Sequence, residues 1–151
     1  MEDLLTRAYR LINLYNSTGR RPCTYAGGET LYPAQIHFLE CLSQDEGETL
    51  SVLSRKLYIS RSAASQTVAL LEDKGFLVKA DPVGTGGAQC LYLSEKGRDA
   101  VKEHRLRHKS MTDRIGAVLQ AMDEDTRKQI VEMLDIIEEE IGENYGIQRN
   151  G

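Results

Sequence analysis

The chain has 151 residues, of which 40% are hydrophobic and 28% are charged, and its formal net charge is -4. These values indicate an ordinary globular chain and exclude a disordered one. No apolar run approaches the roughly 18 residues that a membrane helix needs. Arg7 and Arg10 interrupt the first apolar stretch, so we expect no secretory signal either. Three widely spaced cysteines argue against a disulfide scaffold and predict a protein of the reducing cytoplasm.

Acidic and basic residues are unevenly distributed along the chain. Residues 51–80 contain five basic and two acidic residues, whereas residues 121–145 contain two basic and nine acidic residues. The first segment can face a polyanion such as nucleic acid, and the second would repel one. The acidic total argues against a nonspecific nucleic-acid coat, so any contact with nucleic acid belongs to one part of the chain.

Apolar residues recur at helical spacing in six segments, and two short apolar runs are typical of strands. The predicted helices cover residues 4–15, 33–43, 50–57, 61–74, 95–121 and 124–141, and the predicted strands cover 76–78 and 90–93. Ser60 and Asp123 are suited to cap the fourth and sixth helices, and Gly75 ends the fourth. The remaining segments are predicted as loops or a frayed tail: 16–30, 81–87 and 142–151. The fold class is therefore mainly α, with a small β-wing.

The third and fourth helices, joined by a tight turn and followed by the wing, predict a helix-turn-helix. In that arrangement the second helix, residues 61–74, enters the major groove and its N-terminal residues reach base edges. Its outer face is small, polar and weakly charged, which suits close entry into a groove. The residues predicted to read bases are Ser62, Ser65 and Gln66, and those predicted to hold phosphates are Arg55, Arg61 and Lys79. The alternative is a helix-turn-helix used only for packing.

The first helix and the last two helices carry more apolar surface than one small core can cover. Helices built that way usually bury the remaining stripe against a second subunit, which predicts a homodimer. The alternative is a monomer that covers the stripe itself. We therefore predict one domain over residues 1–151, with a winged helix-turn-helix lobe at 33–94 and dimerisation helices at 1–30 and 95–145.

These features together resemble the MarR-type winged-helix transcriptional regulators. The segments that carry the resemblance are residues 31–35, 50–57, 59–66, 70–77 and 91–97, and the likeness extends over about residues 4–143. The resemblance implies a homodimer held by the first and the last two helices. It also implies binding to a pseudo-palindromic operator in double-stranded DNA, with one recognition helix per half-site. We interpret the chain as such a regulator, acting as a repressor under the control of an effector.

The chain departs from the family pattern at two places. Members of the family usually have Asp and Arg in the wing tip, with the Arg in the minor groove, whereas residues 84–88 are Gly-Thr-Gly-Gly-Ala. Gln66 stands at a position of the recognition helix that the family often fills with Arg. Both changes remove positive charge. We therefore expect a salt dependence of DNA binding that is shallower by about one unit of slope per lost contact.

The three histidines of the chain are spaced in a way that suggests a metal site. His104 and His108 are four residues apart on one predicted helix, so they share a face on which both imidazoles can bind one zinc ion or a similar divalent metal. His37 lies on the second helix, and Cys23 in the preceding loop could supply a thiolate. The set is similar to that of the zinc-responsive branch of the same family. That resemblance implies metal binding by these four residues, but it does not extend to a second metal, because Ile36 replaces the Glu of that branch.

A metal is one of three effectors that the residues allow. An organic ligand could occupy a cleft between the dimerisation helices and the DNA-binding lobe, lined by Tyr9, Tyr15, Tyr25 and Tyr32. Oxidation of Cys23 is another route, because the arginines that precede this residue would lower the pKa of its thiol. His104 and His108 also lie among basic residues, so a basic helix face near DNA is an alternative to a metal site.

The sequence contains no phosphate-binding glycine loop, nucleophile elbow or Cys-X-X-Cys motif, so we predict that the protein is not an enzyme. A further alternative is a MarR-like protein-interaction or redox-sensing module with weakened DNA binding, which the neutral wing tip keeps open.

Overall fold

The computed structural model describes residues 3–18, 21–81 and 89–144 and is built from six helices and two small antiparallel sheets. The helices are α1 (Leu4–Thr18), α2 (Pro33–Gln44), α3 (Leu50–Lys56), α4 (Arg61–Asp73), α5 (Glu95–Ala121) and α6 (Glu124–Asn144). The strands are β1 (Cys23–Tyr25), β2 (Glu29–Leu31), β3 (Leu77–Ala80) and β4 (Cys90–Leu93). Within these described ranges, no helix combines the length and apolar character that crossing a membrane requires. The mainly α fold with a small β-wing is confirmed.

The hydrophobic core lies in the middle of the chain, where α2, α3, α4 and the start of α5 pack with the sheet of β3 and β4. α2 contributes Ile36, Phe38, Leu39 and Leu42, all almost fully buried. This spacing places the four side chains on one side of the helix, as an amphipathic pattern requires. α2 therefore has a fixed rotation about its axis, which also fixes where its polar side chains point.

The predicted recognition helix is α4, which begins at the predicted residue and ends one residue before the predicted end. The Ser60 hydroxyl accepts a hydrogen bond from the backbone N–H of Ala63 at 3.1 Å, which satisfies one of the unpaired donors at the start of the helix. Gly75 follows the helix with a φ of 75°, a conformation that glycine adopts without steric cost. The cap of the last helix is also confirmed, because the Asp123 carboxylate accepts from the backbone N–H of Thr126 at 2.7 Å.

The predicted loop at 16–30 is wrong, because most of it is ordered secondary structure. α1 continues to Thr18, and residues 23–31 form the β1–β2 hairpin, in which Cys23 pairs with Leu31 and Tyr25 with Glu29. Each strand has only three residues, too few to show the alternation by which strands are recognised. Gly27 makes the turn with a φ of 78°. The predicted dimerisation segment at 1–30 therefore contains a helix followed by a hairpin.

The first strand of the wing differs from its prediction in its bounds, and the second agrees with it. β3 spans Leu77–Ala80 and pairs with β4, with Leu77 opposite Leu93 and Ala80 opposite Cys90. Phe76, predicted as the first strand residue, is instead a fully buried core residue that lies beneath the ammonium group of Lys96. The wing-tip loop at 82–88 and the last residues, 145–151, lie outside the described residues. α6 extends through Asn144, past the predicted end at 141.

Large apolar side chains are exposed on three helices: α1, the C-terminal half of α5, and α6. They include Leu4, Leu5, Leu11 and Leu14 on α1, Met111, Ile115 and Val118 on α5, and Val131, Leu134 and Ile136 on α6. Among the described side chains of α1, only Ala8 is partly buried, and the others are exposed. Apolar surface on this scale is typical of a protein–protein interface rather than of a monomer.

Removing the cap of the recognition helix should destabilise the protein. We expect Ser60→Ala to lower the free energy of unfolding by about 1 kcal/mol, because the N–H of Ala63 loses its acceptor. Ser65→Ala, an exposed change in the middle of the same helix, is the matched control and should leave stability within about 0.5 kcal/mol. Urea unfolding at one protein concentration measures both variants, and equal stabilities would contradict the assigned cap.

Candidate metal centre and nucleic-acid interface

A cleft of about 870 Å³ lies between α2 and α5, bordered by the end of α1 and by the β1–β2 hairpin. Its walls bring together side chains that are far apart in the sequence. The polar and aromatic residues that line it include Tyr15, Arg21, Cys23, Tyr25, His37, Glu40, His104, Arg105, His108 and Lys109. Of the four tyrosines predicted to line a cleft, Tyr15 and Tyr25 do so, and Tyr9 and Tyr32 do not.

Two histidines and one glutamate converge inside this cleft. His37 and Glu40 are three residues apart on α2 and share one face of the helix. His104 faces them from α5, and its ring centroid lies 5.1 Å from that of His37. One ligand atom of each of the three side chains lies within 4.8 Å of the others. We call this set the histidine–glutamate cluster.

Each histidine of the cluster forms a hydrogen bond between its Nδ1 atom and a tyrosine hydroxyl. The Tyr15 hydroxyl lies 2.9 Å from Nδ1 of His37, and the two rings are stacked. The Tyr25 hydroxyl lies 3.1 Å from Nδ1 of His104. The Nε2 atom of His104 points toward Glu40, with a distance of 3.6 Å to the carboxylate.

Burial keeps the two histidines of the cluster neutral near pH 7. Desolvation lowers the pKa of His37, and the Glu40 carboxylate opposes this effect only in part. The pKa of His104 is lowered for the same reason, with the nearby His108 and His37 adding to the shift. Neutral imidazole is the form that binds a metal ion, so neither histidine has to lose a proton at neutral pH before it can serve as a ligand.

The other two residues predicted for the metal site lie in the same cleft but outside the cluster. His108 is exposed, and its ring centroid lies 4.6 Å from that of His104, as expected for residues one helical turn apart. Cys23 is an exposed free thiol at the mouth of the cleft. His104 is only 6% exposed, so it does not belong to a solvated basic helix face.

The cations near the histidines are paired with acidic side chains. Arg105 pairs with Glu40, Arg107 with Glu103, and Lys109 with Asp113. The Arg107 guanidinium also donates to the backbone carbonyl of Thr24 and lies over the Tyr25 ring. This pairing reduces the repulsion that these cations would otherwise exert on a bound dication.

The chemistry of the cluster fits a divalent metal such as zinc. Imidazole nitrogen and carboxylate oxygen are common zinc ligands, and the two histidines are held at Nδ1 by outer partners, as metal-binding histidines usually are. Glu40 was not identified from the sequence. Its spacing of three residues from His37 was the available signal, but only the packing of α2 on α5 shows that this face meets His104.

The residues predicted to contact DNA lie on the surface of the winged helix-turn-helix lobe. Ser62, Ser65 and Gln66 are exposed on α4, as is Arg61 at its start, and Arg55 is exposed near the end of α3. Lys79 on the wing forms an ion pair with Glu72. A contact of Lys79 with phosphate would therefore require this ion pair to open.

Part of the positive charge counted in residues 51–80 is neutralised in the folded chain by acidic side chains from other segments. Lys56 pairs with Asp45 at 2.7 Å, and Lys74 lies 3.9 Å from Glu29 of the hairpin. Both acidic partners lie outside the counted segment. In the described part of the lobe, Arg55 and Arg61 are left as the basic side chains of this face without an ion pair.

Comparisons with known proteins agree with this architecture. Residues 31–82 match the family model described as the MarR family. Among solved structures, the chain is similar to the adhesin competence repressor AdcR from Streptococcus pyogenes, with 20% identity and a TM-score of 0.69 over 92% of this chain and 98% of that chain. No curated protein sequence matches.

Two further solved structures have the same fold. Lactococcus lactis ZitR, described as a zinc-responsive MarR family member, is 16% identical with a TM-score of 0.63, over 91% of this chain and 96% of that chain. Streptococcus pneumoniae FabT in complex with DNA is 18% identical with a TM-score of 0.65, over 93% of this chain and 99% of that chain. These findings agree with the resemblance found in the sequence: residues 31–82 match the MarR family model, and the described chain has the fold of these solved structures.

Proposed function

We propose that this chain is a cytoplasmic, homodimeric transcriptional repressor that binds a pseudo-palindromic DNA site and changes its DNA affinity when a divalent metal, zinc in the first instance, occupies the cleft. The observation that carries the proposal is the histidine–glutamate cluster, placed where the DNA-binding lobe meets α5. His37, Glu40 and His104 are the proposed ligands, His108 is the proposed fourth, and Cys23 is an accessory donor at the mouth of the cleft.

DNA binding is supported by the family match and by the surface of α4. The exposed face near its N-terminus carries two serines and Gln66, small and polar groups that can approach base edges. The solved FabT structure contains DNA, and AdcR is named a repressor. With Lys79 already paired and no cation in the wing-tip sequence, phosphate contacts supply a smaller share of the affinity than in a family member with both arginines.

The homodimer is supported by the exposed apolar faces of α1, α5 and α6. Covering them against a second copy removes a large apolar area from water, which is the main favourable term in protein association. A two-fold dimer presents two copies of α4, and this symmetry matches a pseudo-palindromic site.

Metal control is supported by the position of the cluster between two units of the chain. His37 and Glu40 belong to α2 of the winged helix-turn-helix lobe, and His104 and His108 belong to α5, which leads to the proposed dimer interface. His37, Glu40 and His104 would hold the metal, which would supply a Lewis acid bound by both α2 and α5. Binding by both helices would restrict the angle between the lobe and the dimerisation helices, and with it the spacing of the two recognition helices. ZitR is described as zinc-responsive.

An organic anion is a second candidate effector, favoured by the size of the cleft. Its volume of about 870 Å³ falls in the range of small-molecule pockets, about 300–1,000 Å³. Tyr15 and Tyr25 offer aromatic faces, and Arg21 supplies positive charge to the lining. Such a ligand would occupy the same space as the metal site. A metal effector predicts that the wild-type protein retains zinc, whereas an organic effector predicts that it does not.

The metal site is tested by zinc binding of the tag-free protein. We expect one zinc ion per chain by mass spectrometry after dialysis, and loss of that ion in His104→Ala. Glu40→Gln should weaken zinc binding at least about tenfold, because even the outer-shell partners of metal ligands contribute 10- to 100-fold. Glu132→Gln, an exposed glutamate on α6, is the matched control. A wild-type protein that retains no zinc would refute the metal and leave the organic anion as the effector to pursue.

The DNA interface is tested by comparing a predicted base reader with a predicted phosphate holder. The preferred DNA site is first selected from a random pool with the wild-type protein. We expect Gln66→Ala to reduce the preference for this site over scrambled DNA by about 10- to 100-fold, since a bidentate base contact contributes about 1–3 kcal/mol. Arg55→Ala should weaken both DNAs alike and lower the salt slope by about one unit. Unchanged preference in Gln66→Ala would refute the proposed docking of α4.

A further inference from the structure

The two histidines of the cluster are held at Nδ1 by tyrosines that come from different elements. Tyr15 lies near the end of α1, and its hydroxyl reaches across to His37 on α2. Tyr25 lies at the end of β1, is only 5% exposed, and reaches His104 on α5. Sequence separations of 22 and 79 residues make both contacts products of the tertiary fold.

The tyrosine hydroxyl occupies Nδ1 of each histidine, which leaves Nε2 as the nitrogen available to a metal. A neutral imidazole carries one proton, either on Nδ1 or on Nε2. When the tyrosine oxygen accepts a hydrogen bond from Nδ1–H, the proton is placed on Nδ1 and the lone pair of Nε2 is free for a metal. The Nε2 atom of His104 faces the Glu40 carboxylate, so a metal bound through Nε2 would lie between His104 and Glu40, inside the cluster.

The same two tyrosines join the cluster to other parts of the chain. The Tyr15–His37 hydrogen bond links α1 to α2. Tyr25 belongs to the β1–β2 hairpin, whose second strand accepts a hydrogen bond at the Thr30 carbonyl from Lys74, the residue after α4, at 2.8 Å. Through these contacts the cleft is connected to α1 and to the C-terminal end of α4.

We propose that Tyr15 and Tyr25 are positioning residues of the metal site, each holding its histidine at Nδ1 and accepting the Nδ1–H hydrogen bond when the histidine binds a metal through Nε2. The inference rests on the proposed metal site and goes beyond it, because neither hydroxyl is itself a ligand. Each tyrosine acts through one histidine, so its loss affects that histidine and not the other.

The test compares Tyr15→Phe and Tyr25→Phe with Tyr9→Phe, an exposed tyrosine on α1 that serves as the control. Zinc affinity is measured by competition with a chelating dye. We expect the first two changes to weaken zinc binding by about 10- to 100-fold each, the effect typical of outer-shell partners, and the control to bind as the wild type does. Far-ultraviolet circular dichroism confirms that each variant is folded.

Nuclear magnetic resonance of ¹⁵N-histidine-labelled protein separates positioning from a general structural effect. In the zinc-loaded wild type, both His37 and His104 should carry a protected proton on Nδ1 and bind through Nε2. In Tyr15→Phe only the Nδ1 proton of His37 should exchange rapidly with water, and in Tyr25→Phe only that of His104. Wild-type affinity in both variants, or binding through Nδ1 in the wild type, would overturn this inference and leave the metal site intact. A wild-type protein that binds no zinc would refute the metal site and this inference together.

Discussion

The packing of α2 against α5 is the contact on which the rest of the structure depends. The apolar face of α2 is buried in the core, and this burial fixes the rotation of the helix. His37 and Glu40 then point away from the core and toward His104 on α5. Since an apolar side chain of this size contributes about 1.5–3 kcal/mol on burial, the four buried residues of α2 outweigh the cost of placing polar groups beside them.

The polar cleft next to this core is tolerated because its groups satisfy one another. Within the described part of the chain, every buried side-chain nitrogen and oxygen has a hydrogen-bond partner. Tyr25 bonds His104, and Arg105 bonds both Glu40 and Ser43. An imidazole at 6% exposure without a partner would carry a desolvation penalty of about 1–3 kcal/mol. The network thus holds neutral, oriented histidines at the junction of two helices.

The sequence predicted the helices well because their signals are local. The bounds of α5 at 95–121, the cap at Ser60 and the stop at Gly75 all follow from patterns within a few residues. The β1–β2 hairpin was missed because three-residue strands carry no usable periodicity. Tyr15 and Tyr25 were predicted to line a cleft, but their hydrogen bonds to the histidines and the role of Glu40 were missed for a different reason. The partners of these side chains lie on other elements, and no local pattern indicates which helix faces meet. The ion pairs that neutralise Lys56 and Lys74 are equally nonlocal.

The central claim is that the histidine–glutamate cluster and the recognition helix are energetically coupled. The most direct test is the dissociation constant of the protein for its selected DNA site, measured at one salt concentration with zinc and again with a chelator, for the wild type and for His104→Ala. We expect a change of about tenfold or more between the two conditions in the wild type, corresponding to a coupling of about 1.4 kcal/mol or more, and no change in the variant. A wild-type protein that binds zinc at this cleft and holds DNA equally tightly in both conditions would contradict it.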